Sequence, residues 1–255
     1  MSDATLRIAI VGAESTGKTT LASALGAALA QRTGQRVAIV AEWLREWCDA
    51  AGRTPRPEEQ AAILRQQQEH IDAAAERHAI VVADATGLMV AVYSRLLFGD
   101  ASLEAEAVAW HHRVGVTLLT ALDLPWVSDG YIRDGPHVRE PVDSALRELL
   151  SRNALPYHVV GGAGEARLAQ ALAALQPALR GLDASAGAGD ARKADGPASI
   201  AVAGAGRPGL LTGLAVASPP DDERGAGSLR TQRWTCDCCW PEGERASLAS
   251  LVRRR

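Results

Sequence analysis

The stretch GAESTGKT, residues 12–19, has the residue types and spacing that hold a nucleoside triphosphate. It matches G-x-x-x-x-G-K-[ST] in full, and it follows an apolar run and precedes a helical pattern, which is the context that this motif requires. Glycines let the backbone N–H groups turn toward phosphate oxygens, and the start of the following helix adds positive potential. We therefore expect a phosphate-binding loop (P-loop) that binds ATP through Gly12, Ala13, Glu14, Ser15, Thr16, Gly17, Lys18, Thr19 and Thr20.

Two residues of this loop have more specific expected roles. Lys18 is predicted to bridge the β- and γ-phosphates, and the Thr19 hydroxyl is predicted to ligate Mg²⁺. Lys18 is conspicuous because arginine supplies nearly all the positive charge of the chain and Lys193 is its only other lysine. The predicted cofactors are ATP and Mg²⁺.

Two acidic residues stand where predicted strands end. Asp84 follows IVVA, and Glu42 follows VAIVA. Ligands of open α/β sheets bind at the carboxyl ends of strands, so both acids should face the P-loop. Asp84 is predicted to hold Mg²⁺ or to accept a proton from an attacking hydroxyl, and Glu42 is the other candidate for that base. Structural roles stay open, with Asp84 as a helix N-cap and Glu42 as an exposed acid in a first helical turn.

The segment DLPWVSDGYIRDGPHVRE, residues 123–140, follows the fourth predicted strand. Trp126 could stack on a flat ring, and Asp129 could accept hydrogen bonds from sugar hydroxyls. Arg133 and Arg139 could close over the triphosphate and balance charge in the transition state. The alternative is a tryptophan that packs the loop onto the domain, with both arginines paired to neighbouring acids.

Apolar runs alternate with helical patterns along the first 182 residues. Five runs predict strands, within residues 6–12, 36–42, 79–86, 115–122 and 157–162. Helices between successive strands imply parallel βαβ units. The predicted fold is therefore α/β, with three α/β/α layers around a five-stranded parallel sheet.

The composition of the chain changes near Gly181. Residues 183–233 are rich in Ala, Gly and Asp without periodicity, which is typical of a disordered linker. Residues 234–255 contain Cys236, Cys238 and Cys239, an incomplete ligand set for zinc. We predict a domain over residues 1–182, a linker over 183–233 and a short, poorly ordered C-terminal segment. A zinc half-site completed by a second subunit, a docking element and a tail with reactive thiols stay open.

The overall charge and hydropathy argue against two classes of partner. The net charge is −3, so no strong field draws in nucleic acid or a membrane surface. No apolar run reaches the ~20 residues of a membrane span, and the N-terminal residues lack a signal-peptide pattern. We expect a cytoplasmic protein with a small-molecule substrate. A homo-oligomer and a protein partner bound through the tail stay open.

Four blocks of the sequence resemble the ribosylnicotinamide kinase domain of the bacterial NadR proteins. They are GAESTGKTTLA, VAEWLREW, ADAT with the later YSRLLFG, and DLPWVSDG with RDGPHVRE, and they occur in the family's order over about residues 5–175. The resemblance implies a P-loop kinase fold. It also implies transfer of the γ-phosphate of ATP to the 5′-hydroxyl of nicotinamide riboside, a step of NAD biosynthesis.

The same resemblance implies residue roles. It places residues 12–20 on ATP, Glu42 and Asp84 near substrate and metal, and Trp126 and Asp129 beside the nucleoside. The lid over the phosphates would carry Arg133 and Arg139, so that the catalytic residues would be Lys18, Asp84, Arg133 and Arg139. The sequence departs from the family pattern at Ala41, where proline is common, and in the two residues between Gly130 and Arg133.

The functional hypothesis is an ATP-dependent nucleoside kinase that acts on nicotinamide riboside. Two alternatives stay open. One is a kinase for another small metabolite, and the other is a nucleotide-responsive regulatory ATPase that acts through a protein partner.

Overall fold

A computed structural model of the chain describes residues 5–127, 136–188 and 200–203. Two residues with expected roles, Asp129 and Arg133, lie outside these ranges, as do the three cysteines of the C-terminal segment. Their roles stay predictions.

The described residues form one parallel sheet. Its strands are β1 (Leu6–Val11), β2 (Val37–Val40), β3 (Ile80–Asp84), β4 (Val116–Thr120), β5 (His158–Val160) and β6 (Ile200–Ala203), in the spatial order β5-β4-β1-β3-β2-β6. The five predicted strands and their parallel pairing are confirmed, and β6 adds a sixth strand at the edge next to β2.

Helices connect the strands and cover both faces of the sheet. They are α1 (Lys18–Thr33), α2 (Trp43–Ala51), α3 (Gln60–Ala75), α4 (Gly87–Phe98), α5 (Glu104–His111), α6 (Arg139–Arg152) and α7 (Gly164–Ala188), with short 3-10 turns at Pro57–Glu59 and Pro136–Val138. None of the helices within the described ranges is long and apolar enough to cross a bilayer.

The central strand β1 shows why the fold has three layers. Successive side chains of a strand point to opposite faces of its sheet. Ile8 and Ile10 pack in the cluster that contains α1 and α7, while Ala9 and Val11 pack in the cluster that contains α4 and α6. A strand buried on both faces needs a nearly continuous apolar run, and LRIAIV supplies it.

The chain after residue 182 contains more regular structure than a linker composition indicates. Helix α7 continues to Ala188, and β6 pairs in parallel with β2, with Ile200 opposite Val37. The short apolar run IAVA was the sequence signal for this strand. The boundaries of the three proposed segments stay predictions.

His111 is a buried titratable group that connects α5 to the sheet. Its side chain is 2% exposed, and Nε2 lies 2.8 Å from the Thr117 hydroxyl oxygen in β4. Burial, with a smaller contribution from the neighbouring His112, lowers the pKa of His111 to about 4 from an ordinary value of 6.5. The folded protein therefore holds this imidazole neutral in mildly acidic solution.

We expect His111 to make the free energy of unfolding depend on pH. Its contribution is complete above pH 6.5 and is lost as the pH falls toward 4, because in that window only the unfolded chain binds the proton. The full loss is roughly 3 kcal/mol. Urea unfolding of the wild type and of His111→Gln at pH 7 and pH 5 measures it. The variant should lose less stability between these pH values, and equal losses would contradict the assignment.

Candidate active site

The P-loop leaves β1 through a contact that admits only glycine. Gly12 has φ +149°, and a Cβ atom built on it would lie 2.1 Å from the Thr120 hydroxyl oxygen at the end of β4. At the other end of the loop, Gly17 has φ +77° and caps the start of α1. Such backbone angles are accessible to glycine at little cost. The structure therefore explains why both motif positions are glycine.

Buried hydroxyl groups fix the base of the loop. The Thr16 hydroxyl donates to the Ala13 carbonyl at 2.7 Å. The Thr120 hydroxyl can then donate to the Thr16 hydroxyl oxygen at 2.7 Å, and it also lies 3.3 Å from the Val11 carbonyl oxygen. Thr16 and Thr120 are both 0% exposed. The sequence analysis did not select Thr120. Its signal is a polar residue that ends an apolar strand at the edge where ligands bind.

Lys18 lies beside the loop with its ammonium group turned inward. Nζ donates to the Ala13 carbonyl at 2.9 Å, and the residue is 8% exposed. An ammonium group carries three donors, so this position suits a cation that binds both the loop and a phosphate chain.

Thr19 and Asp84 meet next to the loop, as the predicted shared metal site requires. The Thr19 hydroxyl donates to Asp84 Oδ2 at 2.5 Å, and Asp84 Oδ1 is buried with no hydrogen-bond partner among the described residues. Hydroxyl and carboxylate oxygens are ligands that Mg²⁺ accepts, usually together with waters and phosphates. The pair therefore fits Mg²⁺. The alternative role of Asp84 as a helix N-cap is wrong, because Thr86 occupies the N-cap of α4.

The electrostatics of this carboxyl reflect its burial. Burial raises the pKa of Asp84 above its ordinary value, and the negative charge of Glu42 raises it further. The hydrogen bond from Thr19 and the charges of Lys18 and Arg45 oppose the rise. Glu42 and Asp84 therefore influence each other across the ends of β2 and β3, as the sequence predicts.

A cleft of about 470 Å³ opens beside the loop. It is lined by residues 15–20 of the P-loop and α1, by Arg45 of α2, and by the segment after β4 through Leu124, Pro125 and Val127. Arg45 was not selected from the sequence, although it lies three residues after Glu42 in the VAEWLREW block. Its Nε donates to Glu42 Oε2 at 2.9 Å. Glu42 has a side chain only 17% exposed, so its alternative role as an exposed acid is wrong.

Ser15 holds the segment after β4 against the P-loop. Its hydroxyl donates to the Val127 carbonyl and accepts from the Val127 N–H, each at 3.0 Å. The same segment carries Trp126, whose Nε1 is buried without a partner in the described ranges. Ser15 thus holds the residue next to Trp126 against the P-loop, while Trp126 itself is not among the residues that line the cleft.

Arg139 lies under this segment, at the start of α6. It is 7% exposed, and Nη1 donates to the Leu124 carbonyl at 2.9 Å. Nε and Nη2 are buried and have no hydrogen-bond partner within residues 5–127 and 136–182. The side chain is therefore part of the packed domain and keeps donors available for an anionic or carbonyl group.

The side chain of Glu14 contacts helix α4, and its predicted place on ATP stays a prediction. Its carboxylate accepts a hydrogen bond from the Tyr93 hydroxyl of α4, and Oε2 is buried without a partner among the residues described. It is not among the residues that line the cleft. Tyr93 was not selected from the sequence, although it begins the YSRLLFG block.

Comparison with protein families identifies this arrangement of loop and sheet. The model of a family described as an AAA domain matches residues 7–167. The chain belongs to this AAA domain family. No functionally curated protein matches the sequence.

Solved structures similar to this AAA domain include a thymidylate kinase and NadR proteins. Thymidylate kinase from Ehrlichia chaffeensis is 16% identical, with 68% of this chain and 98% of that chain covered and a TM-score of 0.50. A NadR protein in complex with NR is 18% identical. The match covers 68% of this chain and 51% of the NadR chain, with a TM-score of 0.54. NadR in complex with NAD and AMP-PNP is 17% identical. The match covers 68% of this chain and 49% of the NadR chain, with a TM-score of 0.52. The chain spans about half the length of the NadR chains. The predicted NadR-like P-loop kinase fold is confirmed.

Two threonines of β4 in this AAA domain allow a matched test of the hydroxyl network. Thr120→Val removes the hydroxyl under the P-loop, and Thr117→Val removes the buried hydroxyl that lies 2.8 Å from His111 Nε2. Each substitution should lower the free energy of unfolding by about 1–2 kcal/mol. Only Thr120→Val should also raise the Kd for ATP, by about fivefold or more. Urea unfolding and calorimetric titration measure both quantities, and equal ATP affinities of the two variants would contradict this role.

Proposed function

We propose that the protein is an ATP-dependent kinase that phosphorylates a nucleoside, with nicotinamide riboside as the preferred acceptor. The observation that carries the proposal is the meeting of the Thr19 hydroxyl and the Asp84 carboxylate at 2.5 Å beside a complete P-loop. Phosphoryl transfer depends mainly on positioning and on stabilisation of charge. The described residues provide groups for both.

The donor side of the reaction would use the P-loop. Backbone N–H groups of residues 12–17 and the Lys18 ammonium would bind the phosphates of ATP, which the start of α1 also attracts. Thr19 and Asp84 would hold Mg²⁺, which supplies charge neutralisation on the β- and γ-phosphates when it is bound. Arg45 would add a cation at the open side of the cleft that it lines.

The acceptor side would use the acids at the ends of β2 and β3. A hydroxyl that attacks the γ-phosphate must be oriented and must lose its proton. Asp84 and Glu42 are the carboxylates at this edge that influence each other's charge. Either could take the proton, and the ion pair with Arg45 would hold the Glu42 carboxylate in place.

The choice of nicotinamide riboside rests on the segment after β4 and on the likeness to NadR in complex with NR. Trp126 offers an indole ring that can stack on a flat base, and Arg139, beneath the same segment, offers two donors that have no partner among the described residues. Asp129 is proposed to bind the ribose hydroxyls and Arg133 to close with Arg139 over the phosphates. Thymidylate kinase shares the fold, so another nucleoside or a nucleotide is the nearest alternative acceptor.

The acceptor can be identified with purified protein, ATP, Mg²⁺ and a panel of nucleosides and nucleotides. We expect nicotinamide riboside to give the largest rise in ADP formation above the rate without acceptor, and Lys18→Ala to abolish that rise. A larger rise with another compound would contradict nicotinamide riboside as the preferred acceptor but would still support a kinase activity. A slow rate of ATP hydrolysis that no acceptor changes would instead favour the regulatory ATPase.

The roles of the two acids can be separated with Asp84→Asn and Glu42→Gln. Asp84→Asn should lower kcat by about 100-fold or more, because it removes the proposed metal ligand and one of the two candidate proton acceptors. Glu42→Gln should act mainly on the acceptor KM if Glu42 binds substrate. Steady-state kinetics against ATP and acceptor measure these effects. A kcat of Asp84→Asn close to that of the wild type would contradict the assigned metal site.

A further inference from the structure

Arg167 of α7 lies behind the P-loop and connects it to two other loops. It is 4% exposed, Nη1 donates to the Thr16 carbonyl, and Nη2 donates to Asp123 Oδ1 at 2.5 Å. The other oxygen of Asp123 accepts from the Gly162 N–H at 2.5 Å. The P-loop, the segment after β4 and the turn after β5 thus meet through one guanidinium group and one carboxylate. The proposed function assigns no role to either residue.

The carbonyl that Arg167 holds belongs to a peptide that faces the cleft. The described residues contain no cis peptide bond, so the Thr16 carbonyl and the Gly17 N–H point in opposite directions from one peptide plane. Thr16 and Gly17 both line the cleft. A hydrogen bond to the carbonyl on the α7 side therefore directs the Gly17 N–H toward the side where phosphate would bind.

Side chains from two other parts of the chain pack around the glycines of these loops. A Cβ atom built on Gly17 would lie 3.1 Å from Leu124 Cδ1 and 3.5 Å from Arg167 Nη1, so both side chains lie against this peptide. A Cβ atom built on Gly161 would lie 2.8 Å from Asp123 Oδ2. Glycine at position 161 therefore leaves room for the carboxylate that pairs with Arg167.

Asp123 in turn fixes the guanidinium. The hydrogen bond from Gly162, with a further contribution from the charge of Arg167, holds the pKa of Asp123 below its ordinary range. Asp123 is the first residue of the DLPWVSDG block, which the sequence analysis connected with the nucleoside. Its contacts with Arg167 and Gly162 are instead to groups behind the P-loop.

We propose that Arg167 is a positioning residue for phosphate binding. It sets the direction of the Gly17 N–H before the nucleotide arrives, and Asp123 sets the direction of Arg167. Preorganised donors avoid the cost of reorientation when the ligand binds. The inference rests on nucleotide binding by the P-loop, which is part of the proposed function, and it does not depend on the identity of the acceptor.

The test compares Arg167→Gln, Arg167→Lys and Asp123→Asn with a control, Arg147→Gln. Arg147 also pairs with an aspartate, Asp143 of α6, but it is not among the residues that line the cleft. Two probes are titrated in the presence of Mg²⁺, namely ADP and inorganic tripolyphosphate. The second probe has a phosphate chain but no base, so it separates an effect on phosphate from an effect on adenine.

We expect Arg167→Gln to raise the Kd for both probes by about tenfold. Arg167→Lys should fall between it and the wild type, because lysine keeps the charge but not the two-pronged geometry. Asp123→Asn should raise both Kd values less than Arg167→Gln does. The variant with both Arg167→Gln and Asp123→Asn should have Kd values no higher than those of Arg167→Gln, since the two residues act through one peptide. Arg147→Gln should bind both probes as the wild type does.

Two results would overturn the inference. One is a lower thermal midpoint of ligand-free Arg167→Gln with both Kd values unchanged, which would make the arginine a structural contact only. The other is weaker binding of ADP with unchanged binding of tripolyphosphate, which would make it a contact to the base. If Arg167→Gln does not fold, the Kd values of Arg167→Lys and Asp123→Asn for ADP and tripolyphosphate are compared with those of the wild type, and they test the inference in the same way. A wild-type protein that binds neither probe would instead refute nucleotide binding itself.

Discussion

The contact between Gly12 and Thr120 is the constraint on which the rest of the site depends. The chain can turn from β1 into the P-loop only because no side chain stands between Gly12 and the Thr120 hydroxyl, 2.1 Å from where a Cβ would lie. That turn places Thr16 on the same buried hydroxyl network and lets α1 begin at Lys18. The position of β4 therefore determines the shape of a loop that is distant from it in sequence.

The parallel register of the sheet then brings the charged groups to this loop. Ile10 of β1 pairs with Asp84 of β3, so the carboxylate emerges beside the first turn of α1 and meets Thr19. Burying an ionised carboxylate is costly unless it is paired. The ionised form of Asp84 is favoured by the hydrogen bond from Thr19 and by the charges of Lys18 and Arg45. Burial and the charge of Glu42 oppose it. The balance suits a site that gains stability when a divalent cation binds.

The parts of this arrangement that follow local patterns could be predicted from the sequence. The five predicted strands, the P-loop and the acid at the end of β3 each have a signature within a few residues. Three supporting residues, Tyr93, Thr120 and Arg167, were missed because their roles arise from contacts between distant segments. Arg45 pairs locally with Glu42, and its place in the site follows from the cleft that it lines together with the P-loop. Strand β6 was missed for a similar reason. Its four apolar residues stand in an Ala- and Gly-rich stretch, and they become a strand only by pairing with β2.

The central claim is that the cleft passes a phosphoryl group from ATP to a nucleoside hydroxyl. It is tested most directly by incubating the protein with nicotinamide riboside, Mg²⁺ and ATP labelled with ¹⁸O in the γ-phosphate, followed by mass spectrometry of the products. The account predicts nicotinamide mononucleotide that carries the labelled phosphoryl oxygens. Label found in inorganic phosphate alone, with nicotinamide riboside recovered unchanged, would contradict it.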